Sequence, residues 1–322
     1  LLNLKGGEDY IICEVGTSNP GEIASLGRIV APDIAVITSI SLAHLENFET
    51  IERIAGEKSS ILGCLKKQGF ALGIVFGDSD LLNRSSRAYD CRKIYFGQSD
   101  DCQLRLTGYE PTASGCRFEL NGRAWFDLPL PGRHNALNAI AAIAASQKFG
   151  FDQDQAAGTL ASFSGTERRL ERLTLGEITV INDAYNANPA SMVAGAEVLS
   201  EIPGERKVFI AGDMLELGKA GPELAGQVGR DIASRGIDMV IGIGQLGSAL
   251  AESAGQSGAT IAHQFTDRDV DGREVAELIA PGDVVLIKAS RGVGLERLVD
   301  HLRKRFGMDG GDVPDASGGD SA

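Results

Sequence analysis

The sequence predicts an α/β protein of two domains: a parallel sheet that gives way to antiparallel hairpins, then a doubly wound parallel sheet. Three observations predict it. Apolar runs alternate with helical stretches over residues 10–76, the texture of strands buried on both faces. Short alternating pieces punctuated by Gly108, Gly115 and Gly122 follow over residues 102–130, as hairpins require. Five strand-like runs then alternate with helical segments over residues 178–306, the pattern of a doubly wound sheet with right-handed crossovers.

In chain order, residues 10–15 (YIICEV) end at Gly16, and residues 34–40 form a second run of central-strand character. Residues 20–28 read as a helix between them. In residues 51–65 Ile54, Ala55, Ile61 and Leu62 recur at helical spacing, and residues 71–76 give another buried strand. NALNAIAAIAASQK (135–148) is rich in Ala, the strongest helix former, and Gly150 stops it. A boundary at residues 162–168 divides the chain into domains 1–164 and 165–306. The second has strand runs at 178–181, 208–211, 239–243, 260–262 and 284–287, and a last helix at 295–306. Residues 307–322 are mostly Gly, Asp, Ser and Ala with little to bury, and a disordered tail is expected.

At 322 residues the chain can build two separate cores. Its 44 acidic and 31 basic residues give a formal net charge of −13, which argues against nucleic acid or an anionic membrane as partner. Phosphate ligands need only a few positioned groups and stay open. No apolar run is long enough for a membrane span. Cys13, Cys64, Cys91, Cys102 and Cys116 lack C-x-x-C spacing, so free thiols in a reducing cytoplasm are expected. The first residue is Leu1, so the chain is expected to begin inside a longer protein.

Chemistry concentrates at predicted strand ends. In VINDAYNANPASM (180–192) a β-branched run stops at Asn182 and Asp183, and Tyr185, Asn186, Asn188 and Pro189 follow. Ligands in open α/β sheets sit outside the carboxyl ends of strands, yet a capped turn would use the same residues. Glu14 closes the first run as either a solvated strand end or a hard-cation ligand. His44 follows the second run in AHLENF, and Lys58 lies in IAGEKSSI; alone, these read as a structural histidine and a solvated lysine. GRHNALNA sets Asn135 and Asn138 three apart, hence on one helix face. They suit a helix cap or a base edge. Arg168 and Arg169 sit at the domain boundary. AGDMLELG (211–218) and KASRGVGLE (288–296) each follow a strand, and Ser290 and Arg291 could hold a carboxylate. Gly242, Gly244 and Gly247 spell G-x-G-x-x-G, but no acidic residue closes the next strand to take a ribose hydroxyl. A tight βα turn accounts for them.

Over residues 1 to about 306 this ordered set resembles the Mur ligases, ATP-dependent amide-forming enzymes of peptidoglycan precursor synthesis. The resemblance implies the later part of a central ATPase-type domain followed by a Rossmann-like C-terminal domain. It implies magnesium held through Glu14, His44 and Lys58, with Lys58 carrying carbon dioxide as a carbamate. Carbamate formation needs a neutral amine, and burial favours one. Asn135 and Asn138 would contact the nucleotide, Arg169 the γ-phosphate of ATP, Asp183 the ribose, and Tyr185 the same cleft between the domains. Asn186, Asn188, Ser290 and Arg291 would serve substrate. Arg168 stands where the family has Gly, and Ala289 where it has the Gly of KGSR. DAYNANP and AHLE look most like the branch that joins D-alanyl-D-alanine to a UDP-N-acetylmuramoyl-tripeptide, acting as a monomer. Rivals are another ligase of the superfamily (tripeptide-forming or folylpolyglutamate-forming), a non-catalytic binding descendant, and, last, a dehydrogenase on the glycine trio. The 322 residues contain no G-x-x-x-x-G-K-[ST], the loop that cradles ATP phosphates. The chain alone is therefore expected not to ligate.

Overall fold

The computed structural model describes residues 5–42, 45–66, 71–259 and 261–307. Contacts divide the chain into two compact units: Leu1–Gly165 with Asn188–Ala190 and Glu216–Gly221, and Thr166–Ala187 with Ser191–Leu215 and Pro222–Ala322.

The first unit runs α1 (Glu22–Val30), β1 (Ile34–Ile37), α2 (Leu45–Phe48), α3 (Ile51–Ser59), β2 (Leu72–Phe76), α4 (Asp80–Ser86), β3 (Arg92–Gly97), β4 (Leu104–Thr112), β5 (Gly115–Leu120), β6 (Ala124–Leu128), α5 (Arg133–Ser146) and α6 (Gln153–Ala161). Its six strands lie in sequence order. β1 to β4 are parallel, and β4, β5 and β6 form antiparallel hairpins. On one face α5 buries Ala136, Ile140 and Ile143 with Ile74, Phe96 and Phe118. Small Ala side chains on that helix let it lie close to the sheet. The other face buries Ile37 and Val75 with Ile23 of α1 and with Leu62 from a 3₁₀ turn. Each large aliphatic side chain so buried stabilises by about 1.5–3 kcal/mol.

The second unit runs β7 (Glu171–Leu175), β8 (Ile178–Asn182), α7 (Pro189–Glu201), β9 (Arg206–Gly212), α8 (Gly221–Ala233), β10 (Met239–Ile243), α9 (Gly244–Gln256), β11 (Ile261–Phe265), α10 (Gly272–Glu277), β12 (Asp283–Lys288) and α11 (Arg297–Phe306). Strand order is β11-β10-β9-β12-β8-β7. All neighbours are parallel except β7, which is antiparallel to β8. Val208, Ile210, Ile241 and Ile287 face a core with Leu298 and Leu302 of α11. Their strand neighbours Phe209, Val240 and Leu286 are buried as well. The sheet is thus covered on both sides, which explains its unbroken apolar runs.

Four local expectations need correction. Residues 10–15 join no strand, Glu14 is exposed, and Ile12 is 98% exposed. An apolar run becomes a central strand only where a ladder partner accepts it, and among the described residues β1 pairs with β2 alone. Tyr10 instead makes an edge-on contact with Phe149, ring centroids 4.7 Å apart. The helix expected over 51–65 ends at Ser59 and tightens into a 3₁₀ turn, Ser60–Cys64. Strand β3 is an addition, its two leading basic residues having hidden the apolar IYF that follows. β7 is another: its ERLTL alternation belongs to an edge strand with one solvated face. The tail at 308–322, expected to be disordered, lies outside the described residues, as does Thr260. All five cysteines are free thiols.

Candidate functional site

In the second unit the loop after β8 is built against the end of β12, its parallel neighbour in the sheet. The Asp183 amide donates to the Ile287 carbonyl at 2.9 Å, extending the ladder one residue past the strand. Lys288, the last residue of β12, is only 3% exposed. Its ammonium donates to Asp183 Oδ2 at 2.6 Å and to the Asn186 carbonyl at 2.9 Å. Asp183 Oδ1 accepts the Leu170 amide at 3.2 Å. The Asn186 side chain accepts the Ala187 amide at 2.9 Å. Ser290 is buried: its hydroxyl accepts the Leu215 amide at 2.9 Å and donates to the Ala187 carbonyl at 3.3 Å. Asn188, half-buried, precedes α7.

Above this tied backbone lies an aromatic ring with two cations. The Arg169 guanidinium carbon sits 4.0 Å from the Tyr185 ring centroid, and that of Arg291 sits 5.8 Å away. Both arginines are exposed, and Tyr185 is 37% exposed. Arg168 and Leu170, on either side of Arg169, have φ of 59° and 53°, a left-handed conformation that costs non-glycine residues about 1 kcal/mol or more. It is held by the Tyr185 amide, which donates to the Arg168 carbonyl at 3.1 Å, and by an Arg168–Glu296 ion pair at 3.0 Å.

The glycine-rich turn after β10 contains its own anion. Asp213, fully buried, accepts the Leu246 and Gly247 amides at 2.7 and 3.0 Å and pairs with Arg268 Nε at 2.6 Å. A Cβ on Gly244 would stand 2.5 Å from the Asp213 carboxylate, and one on Gly242 would run into the Gly247 carbonyl oxygen. The three glycines therefore serve close packing and an internal helix cap, in the place where a dinucleotide pyrophosphate would bind.

In the first unit Lys58 lies in the last turn of α3, half-buried, and burial pushes its amine below the usual lysine range. The adjacent Glu57 accepts the amides of Gly21 and Ile23, both at 2.8 Å, and so caps α1. Asn135 Nδ2 donates to the Pro131 carbonyl at 2.7 Å, bracing the start of α5, and Asn138 is exposed one turn on. His44 lies outside the described residues. Among the described residues no three histidine, cysteine or carboxylate side chains gather as a metal-binding group.

Within AGDMLELG and KASRGVGLE the sequence marks no role for Asp213 or Lys288. Their signal is that each is a charged residue at the end of an apolar strand run, where a buried charge must find a partner.

Comparison with known proteins places these features in a family. The Mur ligase middle domain matches residues 1–146, and the Mur ligase, glutamate ligase domain matches residues 168–291. The UDP-N-acetylmuramoyl-tripeptide–D-alanyl-D-alanine ligase of Bacillus subtilis is 35% identical over 94% of this chain and 66% of its own length. The enzyme of that name from Escherichia coli is 33% identical over 94% of this chain and 67% of its own length. Among solved structures, MurF from Acinetobacter baumannii superposes with a TM-score of 0.83 at 28% identity, covering 94% of this chain and 66% of that one. MurF from Thermotoga maritima, in complex with ADP, gives 0.78 at 27% identity, covering 91% and 66%. The chain thus spans about two thirds of the length of the relatives it matches. With both domains matched in order and with identity above 30% across nearly its whole length, the chain belongs to the Mur ligase family.

Proposed function

We propose that these residues form the middle and C-terminal parts of an ATP-dependent amide ligase that adds D-alanyl-D-alanine to UDP-N-acetylmuramoyl-tripeptide in peptidoglycan precursor synthesis. The observation that carries the reading is the identity of about one third, across both domains, to ligases of that name. The fixed DAYNANP loop supports it. In the proposed reaction ATP transfers its γ-phosphoryl group to the tripeptide's terminal carboxylate. The D-alanyl-D-alanine amine then attacks the acyl phosphate, forming the amide and releasing phosphate. Arg169 would meet charge on the transferring group. Asp183, with one hydrogen-bond donor on each oxygen, keeps acceptor capacity for a ribose hydroxyl. Tyr185 would line the same site. Asn135 and Asn138 would read the nucleotide, and Asn186, Asn188 and Ser290 the peptide substrates. Ser290 would act through the loop it ties.

Magnesium enters the proposal through Glu14, His44 and a carbamate on Lys58, where it would neutralise phosphate charge. The depressed Lys58 amine supports its place in this set. The proposed enzyme works in the cytoplasm as a monomer on nucleotide-linked substrates, without nucleic acid. No helix of the described residues is long and apolar enough to cross a membrane.

The test is phosphate release by the product of the whole gene with ATP, the tripeptide and alternative acceptors. Turnover with D-alanyl-D-alanine alone is expected. Preference for a single amino acid would move the assignment to another member of the family, and no turnover with any acceptor would favour a non-catalytic binding protein. The 322-residue chain assayed alone is expected to release no phosphate, because it contains no phosphate-cradling G-x-x-x-x-G-K-[ST].

A further inference from the structure

We infer that Tyr185 is a positioning residue that gathers Arg169 and Arg291 into one binding pair for a phosphoryl oxyanion. The inference deepens the ligase reading and rests on it for the identity of the natural ligand. Three observations carry it. First, the two guanidiniums converge on one ring, at 4.0 and 5.8 Å from its centroid. Like charges repel, and the negative face of an aromatic ring is one of few neutral groups that can hold two cations near each other.

Second, among the described residues neither guanidinium has a carboxylate partner. Arg168, the neighbour of Arg169 in the chain, is by contrast occupied by Glu296 at 3.0 Å. The planar N–H forks of Arg169 and Arg291 stay available for oxygens, and two full positive charges suit a multiply charged phosphoryl group better than a single carboxylate.

Third, ring and stems stand on backbone that is already fixed. The Tyr185 amide donates to the Arg168 carbonyl, Lys288 ties Asp183 and Asn186 on either side of the ring, and buried Ser290 anchors the residue before Arg291. Such a pair gives up little freedom on binding, which is where affinity from preorganisation arises.

The test uses the 322-residue chain with inorganic tripolyphosphate as probe, titrated calorimetrically at fixed ionic strength. Saturable binding is expected, within about twofold for Tyr185→Phe, which keeps the ring, and about tenfold weaker for Tyr185→Leu, which loses both ring contacts. Arg291→Gln should cost less in the Tyr185→Leu background than in the parent, since the ring couples them. In the parent chain the side-chain Nε–H resonance of Arg169 should show an upfield ring-current shift, a reading independent of whether the leucine variant folds. Unchanged affinity in folded Tyr185→Leu, no binding by the parent, absence of the ring-current shift, or succinate binding as tightly as tripolyphosphate would each overturn the inference. A failed ligase assay leaves these measurements standing. An active ligase whose Tyr185→Leu variant keeps full tripolyphosphate affinity would sink this inference alone.

Discussion

Lys288 and Asp183 form a buried ion pair, Nζ to Oδ2 2.6 Å, that ties the end of one strand to the loop leaving its neighbour. The lysine side chain is 4% exposed and the aspartate 14%, so each charge depends on the other for much of its solvation. Removing one partner of a buried pair costs far more than the pair contributes net, because a charge is stranded.

Lys288→Met is therefore expected to destabilise the chain by about 3 kcal/mol, read as the loss of unfolding free energy in urea. Adding Asp183→Asn should recover part of it by removing the stranded charge. A double variant no more stable than the single would show that the loss came from packing.

Asp213 and Arg268 form an unequal pair, 1% against 51% exposed. Asp213→Ala strips the cap from α9 and is expected to cost about 2–3 kcal/mol. Arg268→Ala leaves Asp213 with its two amide donors and should cost less, about 1–2 kcal/mol. The reverse order in thermal melts would contradict this division of roles. Because Asp213 occupies the glycine-rich turn, titration with NAD should give no saturable signal.

Glu22 accepts the amides of Ser18 and Asn19 and the amide group of the Asn19 side chain. These bonds, led by that side chain, hold its carboxyl down at about 2 against an ordinary 4.5. A group depressed on folding stabilises above its unfolded value and loses that contribution as pH falls towards the folded one. Glu22→Gln should thus melt below the parent at pH 6, with the gap closing between pH 4.5 and 2. A gap that stays constant over that range would refute the assignment.

Burial of Lys58 disfavours its charged form. Lys58→Met should be the more stable protein at pH 7, the advantage shrinking as pH rises towards the ordinary lysine value and the parent amine loses its charge. The neutral amine should also add carbon dioxide. With labelled bicarbonate a carbamate carbon resonance is expected in the parent and not in Lys58→Arg. An identical spectrum from the two would remove Lys58 from the proposed metal set.

The legible parts of the fold were those with strong local patterns. The Ala-rich α5, the Gly-punctuated hairpins and the apolar runs of β8, β9, β10 and β12 all announce themselves. Residues 10–15 misled, because hydrophobicity measures readiness to be buried, and a ladder partner decides whether burial happens. β7 was obscured by charges that suit one solvated face of an edge strand. Within the site, Asp183, Tyr185 and Arg169 stood out by residue type and place, and Lys288 did not. A lysine after a strand reads as solvated until the neighbouring strand is known.

Local periodicity and short motifs carry the α/β class, the family and the strand-end loops where chemistry is expected, so these can be read from the chain alone. That Lys288 holds Asp183, that Asp213 fills the glycine-rich turn, and that Arg169 and Arg291 share the ring of Tyr185 emerges with the folded arrangement. Each of these joins residues far apart in the chain or on separate strands. Parallel strand order, which no local pattern encodes, is what brings them within a few ångströms.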